Sequence, residues 1–475
     1  MASTERASLL SSLAAWFDAG GFESELARRV ARRTESDTGS VPPALEQYLR
    51  EDLTPALEPL GFACRIEPNP DARGGPFLVA RRVEDASLPT LLTYGHGDVV
   101  SGQEGRWKDG LQPWELTRRG DRWYGRGTAD NKGQHTISLA ALAHTIAARG
   151  GKLGYNVTVL LETGEEAGSP GLGAFCEANR DLLRADLLVA CDGPRVAAST
   201  PTLFLGSRGA ANFSLRVNAR DRAFHSGNWG GVLANPATLL AHAWASLVDA
   251  RGRILVPELR PAPIGADVRA AVRDVPVGGS PDDPVLDTDW GEPGLSPIER
   301  LVGWNTLEVL AMESGSPARP INAIPPAAVM HAQLRFVPGT PLRQLETILR
   351  RHLAGRGFAR VEVKAGLAMA AACTPVSDPW VGWAAASVQR SCGRAPAVLP
   401  SLGGTIPNDV FRDILGMPTL WVPHSYPACS QHAPDEHLLV DVARDGLRLM
   451  GGLYWDLGEA GAPWPKRQVG LSWRA

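Results

Sequence analysis

Three short apolar runs in the first 190 residues each end in ionisable side chains. LPTLLTY (88–94) runs into GHGDVV, NVTVLL (156–161) into ETGEE, and DLLVA (186–190) into CDG. Runs of this length, apolar throughout and closed by turn residues, predict strands buried on both faces. Between the first two lies NKGQHTISLAALAHTIAARG (131–150), where Ile137, Leu139, Leu142, Ala143 and Ile146 suit one helix face and Gly150–Gly151 closes it. GLGAFCEANRDLLR, between the second and third, is also helical in pattern. Strands alternating with helices predict an α/β fold with a mostly parallel sheet flanked by helices, whose ligands bind at the carboxyl ends of the strands.

The pattern changes near residue 208. SRGAANFSLRVNARD (207–221) alternates as a half-solvated strand does, and NPATLLAHAWASLVDARG (235–252) follows as a helix. Residues 257–320, rich in Pro, Gly and Asp, are expected to be a long excursion with little regular structure. A second alternating strand (328–339), a helix (341–357) and the strand ARVEVKAG complete an inserted α+β unit. The predicted organisation is a discontinuous catalytic domain at 1–207 and 374–475, interrupted by a lid at 208–373.

Composition narrows the class without naming it. With 44% hydrophobic and 21% charged residues in a 475-residue chain, a large globular core is expected. A net charge of −3 offers no footprint for nucleic acid or an anionic membrane. No run approaches the roughly 20 apolar residues of a membrane span. The N-terminal residues MASTERASLLSSLAAWF carry both signs of charge and no uninterrupted apolar region of signal-peptide type, so no secretion signal is expected there. Six scattered cysteines, with no C-x-x-C pair, are expected to be reduced, and a cytoplasmic location follows as the default.

The chemistry lies where the strands end: His96 and Asp98, Asp130 in YGRGTADNKGQ, Glu165 and Glu166, and Asp192, with His432 supplied by SQHAPDEH. Two adjacent glutamates at the end of a buried strand repel each other and need compensation. Imidazoles with several carboxylates, and no cysteine among them, suit Zn²⁺, Mn²⁺ or Co²⁺. Two divalent ions would neutralise the cluster, leaving one glutamate as ligand and its neighbour as a base. Metal-assisted hydrolysis of an amide bond is the reaction such a set performs.

The motifs GHGDVV, YGRGTADNKG, ETGEEAGSPG, ACDG, FHSG, GGTIPNDVF and HAPDEH, in this order over about residues 90 to 440, resemble the co-catalytic dinuclear metallopeptidases. That family includes cytosolic non-specific dipeptidases, carnosinases, bacterial carboxypeptidases and N-acyl-amino-acid deacylases. The resemblance implies that His96 and Asp192 bind one metal, Glu166 and His432 the other, and Asp130 both. Glu165 would be the general base, Asp98 would orient the His96 ring, and a cis peptide would follow Asp130. From the insert, His225 would reach the site of a partner subunit, and Arg335 would grip a substrate carboxylate, aided by Asn322, Gly403, Gly404 and Thr405. The long insert and FHSGNWGGVLANP favour the dipeptidase and carnosinase branch, hence dipeptide hydrolysis, two ions with zinc first, and a homodimer through the lid. An N-acyl-amino-acid deacylase or carboxypeptidase-like amidohydrolase is the alternative, and a non-catalytic metal scaffold the competing class.

This chain departs from the family at three points. Gly97 stands where a bulky residue is usual, which predicts a wider cleft floor. Ala223–Phe224 precede His225, and Asn131 replaces the second aspartate of a frequent Asp–Asp pair. His135, His144, His242, His331 and His352 carry no expected role, and His424 and His437 are secondary candidates for ligation.

Overall fold

The computed structural model describes residues 2–36, 39–278 and 283–465. Among them, eight strands form one mixed sheet, in the order 63–67, 77–82, 156–162, 90–96, 187–190, 419–421, 202–204, 397–399. The four central strands run parallel, strand 77–82 runs antiparallel to them, and strand 63–67 pairs antiparallel with 77–82. Alternate side chains of the predicted runs enter two separate cores. Leu91, Val157, Val159, Leu187 and Val189 face the helices Lys132–Ala148, Pro379–Cys392 and Val440–Leu457, whereas Leu92, Leu160 and Leu188 face Phe175, Phe204 and Phe411. Burial on both faces explains why these strands are apolar without alternation.

The helix at Lys132–Ala148 is enclosed on more than its apolar stripe: Gln134, His135, Thr136 and Ser138 are buried too. The helices Ala2–Asp18 and Val440–Leu457 pack along it. Its polar residues are therefore paired internally, as where Ser138 bonds Tyr454 Oη at 2.7 Å and His135 bonds Tyr48 Oη at 2.7 Å.

Residues 209–369 build a second, antiparallel sheet in the order 306–313, 327–336, 209–218, 362–369. The strict alternation of Gly209–Asn218 and Ala327–Phe336 buries one face under the helices Pro236–Leu247 and Leu345–Gly355. The two connections to the larger sheet lie side by side, Gly206 opposite Cys373 and Ser207 opposite Ala372.

The stretch 257–320 holds more regular structure than expected. It contains the helices Ala266–Val272 and Pro297–Gly303 and the edge strand Thr306–Glu313. Ser296 and Glu299 form a capping box, with Pro297 in the first turn, a start signal submerged in the Pro-rich composition. Val272, Ile298 and Val302 pack in one core with Phe204 and Leu399 of the large sheet and with Leu402 just beyond it, so this part of the insert folds back on the larger sheet.

Gly97 also corrects an expectation. A Cβ there would sit 2.8 Å from the Tyr48 ring, so Tyr48 fills the space and the cleft floor is not widened. Among the described residues all six cysteines are unpaired, and no helix is long and apolar enough to cross a membrane.

Candidate active site

The carboxyl ends of the parallel strands converge on one cleft of about 600 Å³. Strand 90–96 delivers His96, the turn after 156–162 delivers Glu165 and Glu166, and Asp192 follows 187–190. Asp130 precedes the long helix, and the loop after strand 419–421 carries His432. That fourth parallel strand is three residues long and lay outside the sequence reading.

Asp130 is shared by two groups of potential ligands. Its Oδ1 lies 2.9 Å from His96 Nε2, which is 3.7 Å from Asp192 Oδ2. Its Oδ2 lies 3.0 Å from His432 Nε2, which is 3.0 Å from Glu166 Oε2. In each group, His96–Asp130–Asp192 and Asp130–Glu166–His432, the donor atoms fall within 4.8 Å of one another. The peptide bond Asp130–Asn131 is cis. Asn131 donates to the Cys191 carbonyl at 2.8 Å, a bond an aspartate could not make, which ties the Asp130 turn to the end of the Asp192 strand.

Asp98 links the His96 ring to the Glu165–Glu166 turn. It stands 3.4 Å from His96 Nδ1, and its carboxylate accepts the backbone N–H of Glu165 (3.2 Å) and of Glu166 (3.1 Å). Ser36 donates to it at 2.7 Å. The pair of glutamates is thus aimed by a carboxylate 67 residues upstream.

The electrostatics point to cations. Five carboxylates against two imidazoles leave excess negative charge even with both rings protonated. Burial and the Asp130 charge push Glu166 up to about 7 and Asp192 up to about 6. Burial, with Asp192, Glu166 and Asp130 close by, also raises Glu165 well above the carboxylate range. Hydrogen bonds to Asp130 and Glu166 raise His432 to about 11. Glu166 Oε1 is buried without a hydrogen-bond partner. Orphaned buried oxygen, shared carboxylate and a nitrogen–oxygen donor set fit two divalent ions of the zinc, manganese or cobalt kind.

Below this layer, Glu162 accepts hydrogen bonds from Tyr94 (2.5 Å) and Ser169 (2.9 Å), and burial pushes its carboxyl up to about 7 from 4.5. An acid raised in the folded state stabilises it fully below its unfolded value, and that contribution is lost as pH rises through the folded one. Wild type is expected to lose about 2–3 kcal/mol relative to Glu162→Gln between about pH 5 and pH 8. Urea unfolding of both proteins at the two pH values checks this, and parallel pH profiles would refute it.

The second sheet closes the cleft. Arg335 donates to Thr405 Oγ1 at 2.7 Å and to Gln333 at 2.7 Å, and with Gly404, Asn212 and Leu367 it lines the same cleft as Glu165. Gly403 lines an adjoining apolar pocket instead, its carbonyl held by the buried Arg208 at 2.9 and 3.1 Å. Thr405 Oγ1 in turn donates to the Arg208 carbonyl at 3.0 Å. His225 and Asn322 sit together elsewhere: His225 pairs with Ala323, and Ser226 N–H donates to the Asn322 carbonyl at 2.9 Å. Both are exposed and outside the cleft lining of this chain.

His424 is buried with both ring nitrogens unpartnered, and His437 bonds Tyr426; neither belongs to the two ligand groups. The sequence reading passed over Arg208 and also Gln431, which donates to Asp130 Oδ2. Gln431 directly precedes His432 in SQHAPDEH, and that adjacency was the available signal.

Comparison with known proteins agrees with this geometry. A cysteinylglycine-S-conjugate dipeptidase of Corynebacterium striatum is 33% identical over 265 residues, 52% of this chain. The chain spans only 55% of that relative's length. A Beta-Ala-His dipeptidase of Rattus norvegicus is 27% identical over 462 residues, covering 90% of this chain and 91% of its own. Human carnosine dipeptidase 1 shares the fold with a TM-score of 0.76 at 23% identity, over 95% of this chain and 99% of its own. The family model of peptidase family M20/M25/M40 matches residues 92–455, from the first metal-site strand to the last helix. The chain belongs to peptidase family M20/M25/M40.

Proposed function

We propose that the protein is a metal-dependent dipeptidase, cutting the amide bond of a small substrate that bears a free carboxylate. The observation that carries the reading is a single aspartate, Asp130, shared by two carboxylate–imidazole groups beside a glutamate outside both, Glu165. His96 and Asp192 would hold one ion, Glu166 and His432 the other, with Asp130 between them. Zinc is the first candidate. Two such ions supply Lewis acidity to the scissile carbonyl and lower the pKa of an attacking water. Glu165 takes that water's proton and hands it to the leaving amine. Asp98 keeps Glu165 in place through the backbone and steadies the His96 ring from behind.

Arg335, braced by Thr405 and Gln333, offers its planar fork to the substrate carboxylate. Arg335→Ala is expected to raise KM roughly 10- to 100-fold, the 1.5–3 kcal/mol of a charged hydrogen bond, with kcat little changed. Steady-state kinetics on one dipeptide would show it, and an unaltered KM would remove Arg335 from substrate binding.

The lid at 208–373 is proposed as the dimerisation unit. His225 and Asn322 are presented outward together, and Val309, Leu310 and Met312 lie exposed on an edge strand. A partner's cleft is the proposed destination of His225, where it would stabilise the oxyanion. Six unpaired cysteines support a cytoplasmic location.

The test is a mixed panel of dipeptides and N-acyl amino acids, offered to metal-stripped protein reloaded with Zn²⁺, Mn²⁺ or Co²⁺. Turnover of dipeptides supports the proposal. Turnover of acylated amino acids alone would keep the machinery and replace the substrate class, and silence with every metal would favour a non-catalytic scaffold.

A further inference from the structure

The loop that carries His432 is held in a costly conformation. Ser430, His432 and Asp435 all have left-handed backbone, with φ of 57°, 60° and 63°. A non-glycine residue held there carries strain and persists only where its surroundings over-determine it. Part of the restraint comes from Gln103, which donates to the His432 carbonyl at 3.0 Å, and from Asp435, which accepts the Lys108 N–H at 2.9 Å.

The stronger restraint is Glu436, a carboxylate 1% exposed. Its Oε1 accepts three backbone N–H groups from the turn that ends in Asp130: Gly127 (3.1 Å), Ala129 (2.9 Å) and Asp130 itself (3.1 Å). Its Oε2 accepts Arg126 Nη1 at 2.6 Å, and its own carbonyl accepts the Gly125 N–H at 3.0 Å. Arg126 is 0% exposed. Charge-assisted bonds of this kind are about twice as strong as neutral ones, and a buried cation left without its partner is strongly destabilising.

One side chain thus joins the two loops that carry Asp130 and His432, whose ligating atoms stand 3.0 Å apart. We infer that Glu436 is a positioning residue: its carboxylate clamps the Asp130 turn to the His432 loop and sets the spacing of the Asp130–Glu166–His432 group. The inference rests on the proposed metal-dependent reading. It differs from a merely structural anchor, because it ties Glu436 to the affinity of one group of ligands and not to stability alone.

Zinc titrated calorimetrically into the metal-stripped full chain is the direct probe. It is read beside thermal unfolding and the kcat and KM for one dipeptide. Glu436→Gln is expected to bind one of two zinc ions at least about tenfold more weakly, the scale on which supporting partners act. Its kcat should fall while KM stays within about threefold, because Glu436 hydrogen-bonds neither Arg335 nor Thr405. Arg126 then becomes a stranded buried charge, so the double variant Glu436→Gln with Arg126→Gln should regain thermal stability without regaining zinc affinity. If the single variant does not fold, the double variant and Glu436→Asp, which keeps the charge but shortens the reach, carry the same zinc measurement. Wild-type zinc affinity in the folded variants, or recovery of affinity together with stability in the double variant, would overturn the inference. Wild-type protein that takes up no zinc, or Asp130→Ala that takes it up unchanged, would strike the metal reading itself, independently of Glu436.

Discussion

Glu165→Gln is expected to lower kcat by about 10²–10⁴, the usual contribution of a positioned general base, while metal content stays as in wild type. The two side chains match in size, so the cleft keeps its shape, but a carboxamide has no basicity at neutral pH. Glu165 belongs to neither ligand group, although it lines the same cleft as Asp130, Glu166 and Asp192. Its backbone N–H is pinned by Asp98, which the substitution does not touch. Kinetics and metal analysis on one preparation decide the matter. A variant within tenfold of wild-type kcat would take the base role from Glu165, and one that lost metal would make it a ligand instead.

Asp130→Ala should have the largest effect on metal. Asp130 is the residue common to both groups, with one oxygen beside His96 and the other beside His432. Removing it reduces each group from three donors to two, whereas Asp192→Ala and Glu166→Ala each deplete one. The expected loss of zinc affinity exceeds the roughly 10- to 100-fold typical of an outer supporting partner and falls on both ions. Activity should vanish with it. Two tightly held zinc ions per chain in the Asp130→Ala variant would refute the shared role.

What could be read from sequence was what burial and strand polarity leave on the surface of the code. The runs before His96, Glu165 and Asp192 are apolar because both faces of the central sheet are covered, and their polar ends mark the rim where ligands gather. The alternation of 209–218 and 327–336 is equally direct, since one face of that sheet is solvated. Strand 419–421 escaped because three residues carry no period. Strand 306–313 escaped because only Leu307 along it is buried, so packing imposes no pattern on the rest. Partnerships across long sequence distances left no trace either: Tyr48 filling the space at Gly97, Arg208 bracing Gly403, and Glu436 reaching the Asp130 turn. Spacing along a chain reports local periodicity, not which distant loops meet.

The helices Ala266–Val272 and Pro297–Gly303 leave the smaller sheet and seal the 397–399 margin of the larger one with Val272, Ile298 and Val302. The insert is therefore not a cassette that could be excised or swapped at its two adjacent connections. Cutting there would strip the host's margin of its cover and present unpaired backbone and apolar side chains to other copies, the condition that leads to edge-to-edge association. Transplanting a lid between relatives to change selectivity would have to leave these helices with the host and exchange only the sheet beyond them.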